Sequence, residues 1–377
     1  MSVDAKLSAE KTVQKLREAG LMGAGGAGFP TYFKYNTKTR ILVVNCEEGE
    51  PGYEADKLLL TKQAEAFVKI FEFMKETFGF EEIIIGAKEK DKERLDKLAD
   101  QYGFDCRYTP SIYGMGEERW LTKDVTGIEV PPDKIAPQMG VTVNNVETLY
   151  NMYRAVFEDA PVTEKYLNVY GEVAKQTVFR VPVGSYAVDL LGAVGIDTTR
   201  SHTLTVIDGG PMMGDIICGT SKRITDEGLH TEDRKLSEAS VSKKTNGYLV
   251  VDRSLYVADQ AAFKHQDGES TPGWEDTLPV IMGKMGLERY LDWSPKVEDL
   301  VVLDDQIKRV RIAMRQGFGG ASVPVVKEGD QVSKGDVIAK PISDDVTDFK
   351  SISVYHHASI DGKVTEVTDT HVCIENT

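Results

Sequence analysis

Short apolar runs alternate with longer amphipathic segments over the first 110 residues. Runs with the length and composition of buried strands lie at 41–45 and 81–87, and CRYT at 106–109 is interpreted as a third strand. Apolar residues at helical spacing lie between these runs and before them, at 8–19, 57–77 and 90–101. In the first of these segments Ser8 is a suitable N-cap and Gly20 a stop signal. This order predicts an open parallel sheet with helices on its faces, which binds ligands at the carboxyl ends of its strands.

The pattern changes after Pro161. The stretch 166–195 is typical of a hairpin followed by a short helix, and 204–210 of a further strand, which together predict a small α+β unit. Residues 216–300 are mixed and charged, with one predicted strand at 247–252, and we interpret them as a connecting region. From residue 309 onward, short strands separated by Gly-Asp and Asp-Gly turns predict a small barrel or sandwich.

The net charge of the chain restricts its partners. Among 377 residues, 60 acidic side chains outnumber 45 basic ones, which gives a formal charge of −15. A field of this sign repels nucleic acid and anionic lipid. No run approaches the roughly 20 apolar residues of a membrane span, and the N-terminus lacks the layout of a signal peptide. We therefore expect a cytoplasmic protein with no membrane span and no nucleic-acid partner.

The cysteines of the chain are widely separated. Cys46, Cys106, Cys218 and Cys373 lie at least 60 residues apart, and no C-x-x-C motif occurs. Iron–sulfur clusters and structural zinc sites are normally built from closely spaced thiolates. The sequence therefore predicts no metal centre and no iron–sulfur cluster.

A glycine-rich loop, LMGAGGAGFPT, occupies residues 21–31 and contains Gly23, Gly25, Gly26 and Gly28. Glycine backbone N–H groups can bind a phosphate because no Cβ blocks the approach, but such a loop can equally be a plain turn. The loop lacks the G-K-[ST] of a P-loop, and it precedes the first strand instead of following it as a dinucleotide fingerprint does. Lys34 is either a cation for a phosphate or a surface lysine.

Three polar clusters follow this loop along the chain. Each can be a ligand site or merely a solvated turn or helix cap. Their members are Glu47, Glu48, Glu50, Glu54 and Asp56 after the first strand, then Tyr113, Gly116, Glu117 and Glu118, then Asn144, Asn145 and Thr148.

The order of these motifs resembles a known family. GAGGAGFPTYFK (23–34), NCEEGEPGYEAD (45–56), YGMGEE (113–118) and GVTVNNVET (140–148) resemble the FMN- and NADH-binding subunit of respiratory complex I and its relatives. The stretches TGIEVPP (126–132) and GGPMMG (209–214), together with the C-terminal tail, are more similar to the branch that contains the C subunit of the Rnf complex. That branch also includes the cobalamin reductase of propanediol microcompartments and the proline reductase-associated electron-transfer protein.

The resemblance implies an α/β fold with a Rossmann-like flavin- and NADH-binding domain. The implied segments are that domain at 1–158, a β-grasp module at 159–215, a connecting region at 216–305 and a barrel-sandwich hybrid domain at 306–377.

The resemblance also implies the residues of the site. FMN would be bound by Gly23, Gly25, Gly26, Gly28, Lys34, Asn45, Glu47, Tyr113, Gly116, Glu117, Asn144, Asn145 and Thr148. NADH would contact Phe29, Glu50 and Glu118. No other catalytic residue is implied, since the redox chemistry belongs to the flavin.

Two departures from the family pattern qualify these implications. Residues 219–305 contain no cysteine, whereas this branch usually carries paired iron–sulfur motifs there. Thr37, Gly127 and Val130 stand where the complex I relatives hold NADH with aromatic and lysine side chains. These replacements bear on NADH binding more than on flavin binding.

Two hypotheses from different classes follow. The first is an FMN-dependent oxidoreductase that passes electrons from NADH to a redox partner, such as a corrinoid protein, a reductase or another electron carrier. The second is a scaffold or ligand-binding subunit of a redox complex that has lost both clusters and flavin. The complete four-motif flavin pattern favours the first, and the missing cysteines favour the second. The sequence leaves open whether the chain forms a homo-oligomer.

Overall fold

The computed structural model of the chain describes residues 7–50, 52–225, 228–252, 273, 275–290 and 299–376. These residues form three consecutive units, each built around its own sheet or pair of sheets. Part of the predicted connecting region, including 253–272, lies outside the described residues.

The first unit contains a four-stranded parallel sheet with the order β3-β2-β1-β4. Its strands are β1 (Ile41–Asn45), β2 (Glu82–Lys88), β3 (Asp105–Thr109) and β4 (Val141–Asn145). Asn45 is paired with Asn145 across the neighbouring strands, so both asparagines lie at the carboxyl edge of the sheet. The predicted parallel sheet is confirmed.

Helices cover both faces of this sheet. They are α1 (Ala9–Glu18), α2 (Ala55–Lys62), α3 (Ala64–Phe78), α4 (Lys92–Tyr102), α5 (Glu118–Thr126) and α6 (Val146–Phe157). Ser8 caps α1 by accepting a hydrogen bond from the Lys11 N–H at 3.3 Å, as predicted. The single long helix expected at 57–77 is two helices, because the backbone of Gln63 leaves helical geometry (φ −115°, ψ 24°).

Alternating side chains of β1 divide the core of this unit. Leu42 and Val44 pack in the larger core with α1, α3 and α6, while Val43 packs in a smaller one with Leu121 and Val125 of α5. This alternation follows from the two-residue period of a strand, and it explains why β1 is apolar on both faces.

The second unit is a seven-stranded mixed sheet with the order β11-β6-β5-β10-β7-β8-β9. Its strands are β5 (Glu164–Gly171), β6 (Thr177–Pro182), β7 (Leu204–Asp208), β8 (Asp215–Thr225), β9 (Gly228–Arg234), β10 (Gly247–Asp252) and β11 (Leu300–Val302). The predicted hairpin is β5 and β6, which pair antiparallel. The helices α7 (Ala187–Ala193), α8 (Gly210–Met213) and α9 (Leu278–Lys284) belong to this part of the chain.

The sheet of the second unit continues beyond the boundary predicted at 215. Strand β10 lies between β5 and β7, parallel to the first and antiparallel to the second. Strand β11 pairs with β6 at the sheet edge. The segment 216–305, interpreted from its charge as a connecting region, therefore contributes strands to the same sheet as 164–208. Non-local pairing of this kind leaves no signal in local residue patterns.

The third unit consists of two small antiparallel sheets, β12-β18-β17-β14 and β13-β15-β16. Its strands are β12 (Arg309–Ala313), β13 (Val323–Pro324), β14 (Gln331–Val332), β15 (Val337–Lys340), β16 (His356–His357), β17 (Gly362–Val367) and β18 (His371–Glu375). The β-rich C-terminal domain is confirmed.

Short 3₁₀ helices complete the described structure. They lie at Thr31–Asn36, Glu89–Asp91, Tyr113–Gly116, Ala136–Met139, Thr198–Thr203, Leu236–Glu238, Glu288–Tyr290 and Phe349–Ser351. Within the described residues, every helix is too short or too polar to serve as a membrane-spanning segment.

Lys243, a buried residue of the second unit, connects all three units. Its ammonium donates hydrogen bonds to the carbonyl of Gly20 in the first unit at 2.9 Å and to that of Tyr355 in the third at 3.0 Å. Because no ion pair to Lys243 occurs among the described residues, burial lowers its pKa to about 7.

Candidate functional site

A cavity of about 440 Å³ lies where the carboxyl edge of the first sheet meets the second unit. Its volume is within the range of about 300–1,000 Å³ typical of small-molecule and cofactor sites. The first unit contributes Gly25, Gly26, Ala27, Asn45, Glu48, Gly49, Glu50, Tyr53, Ala55, Asp56, Tyr113, Gly116, Glu117, Asn145 and Glu147. The second unit contributes Lys165, Tyr166, Asn168, Asp208, Gly209, Met213, Asp215, Lys244 and Asn246.

The glycine loop forms one wall of this cavity and is fixed at its base. The Gly23 N–H donates to the Phe29 carbonyl at 2.7 Å, and the Ala24 N–H donates to Oγ1 of buried Thr148 at 2.9 Å. A Cβ at Gly25 would lie 3.2 Å from Cβ of Asn145, which leaves little space for a side chain. The loop therefore presents bare backbone to the cavity beside the start of α6.

Two asparagines at the sheet edge hold the neighbouring loops. Asn145 is the N-cap of α6, and its Oδ1 accepts from the N–H groups of Glu147 at 2.9 Å and Thr148 at 3.3 Å. Its amide nitrogen donates to the carboxylate of Asp56. The amide of Asn45 donates to the Gly116 carbonyl at 3.0 Å. Both residues therefore line the cavity while their side chains keep its walls in place.

Two further glycines that line the cavity, Gly49 and Gly116, bring two loops together. A Cβ at Gly116 would lie 3.3 Å from the Cα of Gly49, so these two glycines allow the acidic loop and the 3₁₀ turn at 113–116 to approach closely. Glu117, which follows, is the N-cap of α5 and accepts from the N–H groups of Arg119 and Trp120. Of the first unit's glycines that line the cavity, Gly25 and Gly116 are therefore the two whose Cβ would meet a neighbour more closely than ordinary contact.

Glu50 connects the first unit to the second across the cavity wall. Its carboxylate accepts hydrogen bonds from the Tyr113 hydroxyl at 3.1 Å and from the N–H groups of Met212 and Met213, each at 3.0 Å. Burial nevertheless raises the pKa of Glu50 to about 7, although these hydrogen bonds favour its charged form.

Acidic groups dominate the electrostatics of the cavity. Burial raises the pKa of Glu147 to about 7 and that of Asp208 to about 6. Glu147 forms a buried ion pair with Lys165, which lowers its pKa without overcoming the effect of burial. The Asp208 carboxylate accepts a hydrogen bond from the Thr245 hydroxyl at 2.8 Å.

Two buried polar groups on the cavity wall lack a hydrogen-bond partner among the described residues. They are the hydroxyl of Tyr53 and the side-chain Nδ2 of Asn168. A buried polar group without a partner costs about 1–3 kcal/mol, and in native structures it normally indicates a ligand or an ordered water. Both atoms have almost no accessible surface, so they lie within the wall and do not face the cavity.

The predicted site residues divide into two groups in the structure. Gly25, Gly26, Asn45, Tyr113, Gly116, Glu117 and Asn145 of the flavin set and Glu50 of the NADH set line the cavity. Gly23, Gly28, Lys34, Glu47, Asn144 and Thr148 of the flavin set and Phe29 and Glu118 of the NADH set lie outside its lining.

Several residues of the second group support the wall from behind. Thr148 anchors the glycine loop, and the Asn144 amide donates to the buried hydroxyl of Tyr35. Glu47 accepts from the Thr109 hydroxyl at 2.8 Å, and burial raises its pKa to about 7. The ammonium of Lys34 donates to the Val143 carbonyl at 2.6 Å and lies 3.4 Å from the carboxylate of Glu118.

Phe29 is covered by the third unit. Its ring lies 5.2 Å from that of Phe318 and 6.2 Å from that of Phe33. At Gly28 the backbones of the two units meet, because a Cβ there would lie 2.8 Å from the Cα of Gly317. The end of the glycine loop is therefore an interface between units.

Sequence analysis missed the contribution of the second unit to the cavity, which includes Lys165, Asn168, Asp208, Lys244 and Asn246. Local patterns gave no signal for these residues. Lys165 and Asn168 lie in a strand, and the pair Lys243–Lys244 before Asn246 and Gly247 is typical of a surface turn.

Comparisons with known proteins agree with this architecture. The model of the Nuo51 FMN-binding domain matches residues 16–154, and that of the RnfC barrel sandwich hybrid domain matches residues 299–377. These ranges correspond to the first and third units.

The chain is 26% identical to the cobalamin reductase PduS of Salmonella typhimurium, with 99% of this chain and 98% of that protein covered. It is 32% identical to PduS of Citrobacter freundii over 67% of this chain and 53% of that protein. Identity to the C subunit of the ion-translocating oxidoreductase complex of Haemophilus influenzae is 28% over 55% of this chain and 26% of that one. The chain therefore spans about half and about a quarter of the last two relatives.

A solved structure shares the fold. It is an NAD⁺-reducing [NiFe]-hydrogenase in the air-oxidized state, at 22% identity and a TM-score of 0.53, covering 76% of this chain and 54% of that one. From the two domain matches and the curated relatives together, the chain belongs to the family that joins a Nuo51-type FMN-binding domain to an RnfC-type barrel sandwich hybrid domain, with cobalamin reductases and Rnf-type C subunits among its members.

Proposed function

We propose that the cavity binds FMN and that the protein transfers electrons from NADH to a redox partner protein. One observation carries this proposal. A cavity walled in part by the glycine loop lies at the carboxyl edge of the sheet, and most of its lining residues belong to the stretch that matches an FMN-binding domain.

The residues of the cavity fit the chemistry of FMN, which combines a flat ring, a hydroxylated chain and a phosphate. Gly49 and Gly116 line the cavity without side chains, which suits contact with a flat ring. Backbone N–H groups of the glycine loop suit a phosphate. When bound, FMN would supply the redox chemistry, and the protein would hold and orient it.

The phosphate of FMN needs a cation in so acidic a cavity, and two lysines line the described part of it. Lys165 is buried and already paired with Glu147. Lys244 is only partly buried, and its ammonium lies 3.8 Å from Asp215, a distance that leaves it available. A Cβ at Gly28 would lie 3.3 Å from the Cβ of Lys244, so this lysine stands beside the glycine loop. We therefore assign the phosphate to the glycine loop and Lys244, in place of Lys34.

The choice of electron donor and electron acceptor is based on the proteins to which this chain is similar. The names of those relatives include a cobalamin reductase and an NAD⁺-reducing hydrogenase, which supports a nicotinamide dinucleotide as donor and a corrinoid protein or electron carrier as acceptor. Of the three residues that the family resemblance assigns to NADH, Glu50 is bound to Met212 and Met213, and Phe29 is covered by Phe318. NADH binding therefore requires a separate test from FMN binding.

The test is an anaerobic absorption titration of the purified protein, first with FMN and then with NADH. We expect flavin bands that shift on binding and that bleach when NADH is added. Bound FMN that NADH does not bleach would retain the flavoprotein and exclude NADH as donor. A protein that binds no FMN would overturn the proposal.

A scaffold or ligand-binding subunit of a redox complex is the second candidate. The absence of cysteine from residues 219–305 favours it, because it removes the thiolates that would carry electrons onward. This candidate predicts a colourless protein that ignores FMN, so the same titration distinguishes the two.

A further inference from the structure

A cluster of three side chains that commonly bind metals lies in the third unit, on the β17–β18 hairpin and away from the cavity. The residues are Glu366, His371 and Cys373. We propose that Glu366, His371 and Cys373 bind a divalent transition metal ion of the Zn²⁺ class, with the remaining coordination position open to solvent.

The register of the hairpin places these side chains together. A bulge between Val364 and Glu366 sets Glu366 directly opposite Cys373. His371 precedes Cys373 by two residues on β18, so both side chains point to the same face of the sheet. The juxtaposition is thus fixed by backbone pairing and does not depend on a mobile loop.

The distances between the donor atoms suit a zinc-sized ion. Oε2 of Glu366 lies 3.1 Å from Nε2 of His371 and 3.5 Å from Sγ of Cys373, and all three atoms lie within 4.8 Å of one another. Zinc binds N, O and S ligands at about 2.0–2.3 Å, which separates donor atoms around a tetrahedral ion by about 3.3–3.7 Å. A small adjustment of the exposed Glu366 side chain would therefore admit the ion.

The remaining surroundings of the site resemble the outer shell of a metal centre. Nδ1 of His371 lies 3.0 Å from the Thr368 hydroxyl and 2.9 Å from the Thr370 hydroxyl. A ring N–H directed to such acceptors holds the imidazole in place and leaves Nε2 free to bind a metal. His371 and Cys373 are buried while Glu366 is exposed, so an ion can enter from solvent.

Binding is balanced in charge and in protons. The Cys373 thiol releases its proton, and the resulting thiolate and the Glu366 carboxylate together neutralise a doubly charged ion. A thiolate, an imidazole and a carboxylate form a ligand set that suits Zn²⁺ and Co²⁺ better than Mg²⁺ or Ca²⁺, which require oxygen ligands.

Arg311 opposes this binding. Its guanidinium lies 3.2 Å from Nδ1 of His371, where its charge repels a cation and its N–H groups favour the tautomer that is protonated on Nε2. It is held there by the Glu238 carbonyl at 2.9 Å. The Tyr186 hydroxyl lies 3.8 Å from Sγ of Cys373, with Arg309 stacked on the ring of Tyr186. Removing the charge of Arg311 should therefore tighten metal binding.

The experiment is a titration of the 377-residue chain, freed of metal by a chelator, with Co²⁺ alone, followed by displacement with Zn²⁺. We expect a thiolate-to-cobalt charge-transfer band in a difference spectrum, at one ion per chain. Cys373→Ser should abolish the band. Glu366→Gln should weaken Co²⁺ binding by more than the roughly 10–100-fold that loss of an outer-shell partner costs. Arg311→Met should strengthen binding, whereas Cys106→Ser should leave the band unchanged.

Thermal unfolding with and without Zn²⁺ distinguishes a variant that has lost the metal site from a variant that folds poorly. Zn²⁺ should raise the unfolding midpoint of the wild type and of Cys106→Ser but not that of Cys373→Ser. A wild-type protein without the band, a band that persists in Cys373→Ser, or weaker binding in Arg311→Met would each overturn the proposal.

Discussion

Lys34 and Lys244 differ in what their ammonium groups contact, and the difference matters because both lie near the glycine loop. Lys34 donates to a carbonyl of β4 and lies outside the cavity lining, whereas Lys244 lines the cavity from the second unit. A cation interacts with an anionic ligand only where their charges can meet. Of the two, Lys244 is therefore the residue placed to distinguish a phosphorylated flavin from an unphosphorylated one.

Lys244→Met should weaken FMN binding by about tenfold, since a charge-assisted hydrogen bond at a half-exposed site contributes about 1.5 kcal/mol. Riboflavin, which lacks the phosphate, should bind the variant as it binds the wild type. Quenching of flavin fluorescence gives both dissociation constants.

Lys34→Met is the matched control, and it should keep the preference of the wild type for FMN over riboflavin. The assignment is wrong if Lys34→Met loses that preference while Lys244→Met keeps it. If the wild type binds neither flavin, the proposed function itself fails, which is a different result.

At the scale of elements, glycines with positive φ differ in what surrounds them. Gly79 ends α3 at φ 76° with no atom within 4 Å of a built Cβ. Gly171 ends β5 at φ 103°, where a Cβ would overlap the carbonyl oxygen of Val250 in β10. The first is required only by backbone conformation, and the second also by the packing of two strands.

Alanine substitution at these two positions separates the two effects. Gly79→Ala should lower the free energy of unfolding by about 1 kcal/mol, the cost of a left-handed conformation for a residue with a Cβ. Gly171→Ala should lower it by at least about 3 kcal/mol, because β10 must also move away from β5. Urea unfolding measures both, and equal losses would contradict the close contact between β5 and β10.

The elements of the first unit were predictable from sequence, and those of the second were predictable only in part. The runs 41–45 and 81–87 are short and largely apolar, so their pattern identifies β1 and β2. The run 247–252 also predicts a strand, which is β10. Its position between β5 and β7 arises from pairing across some 40 to 80 residues, which no local pattern encodes.

The residues of the candidate site also differ in whether the sequence could predict them. Asn45, Gly116 and Asn145 lie in motifs whose family resemblance implied a flavin site, and all three line the cavity. Lys165 and Asp208 belong to strands of another unit and reach the cavity only through the packing of that unit on the first. Their roles depend on tertiary structure, and for that reason they could not be predicted.

At the scale of the whole molecule, Lys243 couples all three units through an ammonium that has no carboxylate partner among the described residues. Its pKa is lowered to about 7 in the folded protein, whereas an unfolded lysine titrates near 10.4. Between these values the unfolded chain binds a proton that the folded chain does not. This group therefore destabilises the fold most below pH 7, where the ammonium is charged in both states. The cost falls as the pH rises from 7 to 10.4, and it is absent above 10.4, where the amine is neutral in both states.

The prediction is a difference between variants. From pH 7 to pH 9, the free energy of unfolding of the wild type should rise relative to that of Lys243→Met, by up to about 1.4 kcal/mol per pH unit. All other titrating groups are shared by the two proteins and cancel. Lys327→Met, which removes an exposed lysine, should show no such slope. A difference that stays flat or falls with pH would contradict a neutral, buried Lys243.

The cavity wall is divided between two units of the chain, and this division limits how the site can be inherited. A recombination event that transferred residues 1–158 alone would carry the glycine loop and both asparagines but leave Lys165, Asp208 and Lys244 behind. The protein that received this segment would gain the sequence motifs but only the part of the cavity wall that the first unit supplies. Relatives that exchange their second unit would therefore have to rebuild the opposite wall from new residues, even where their N-terminal motifs read the same.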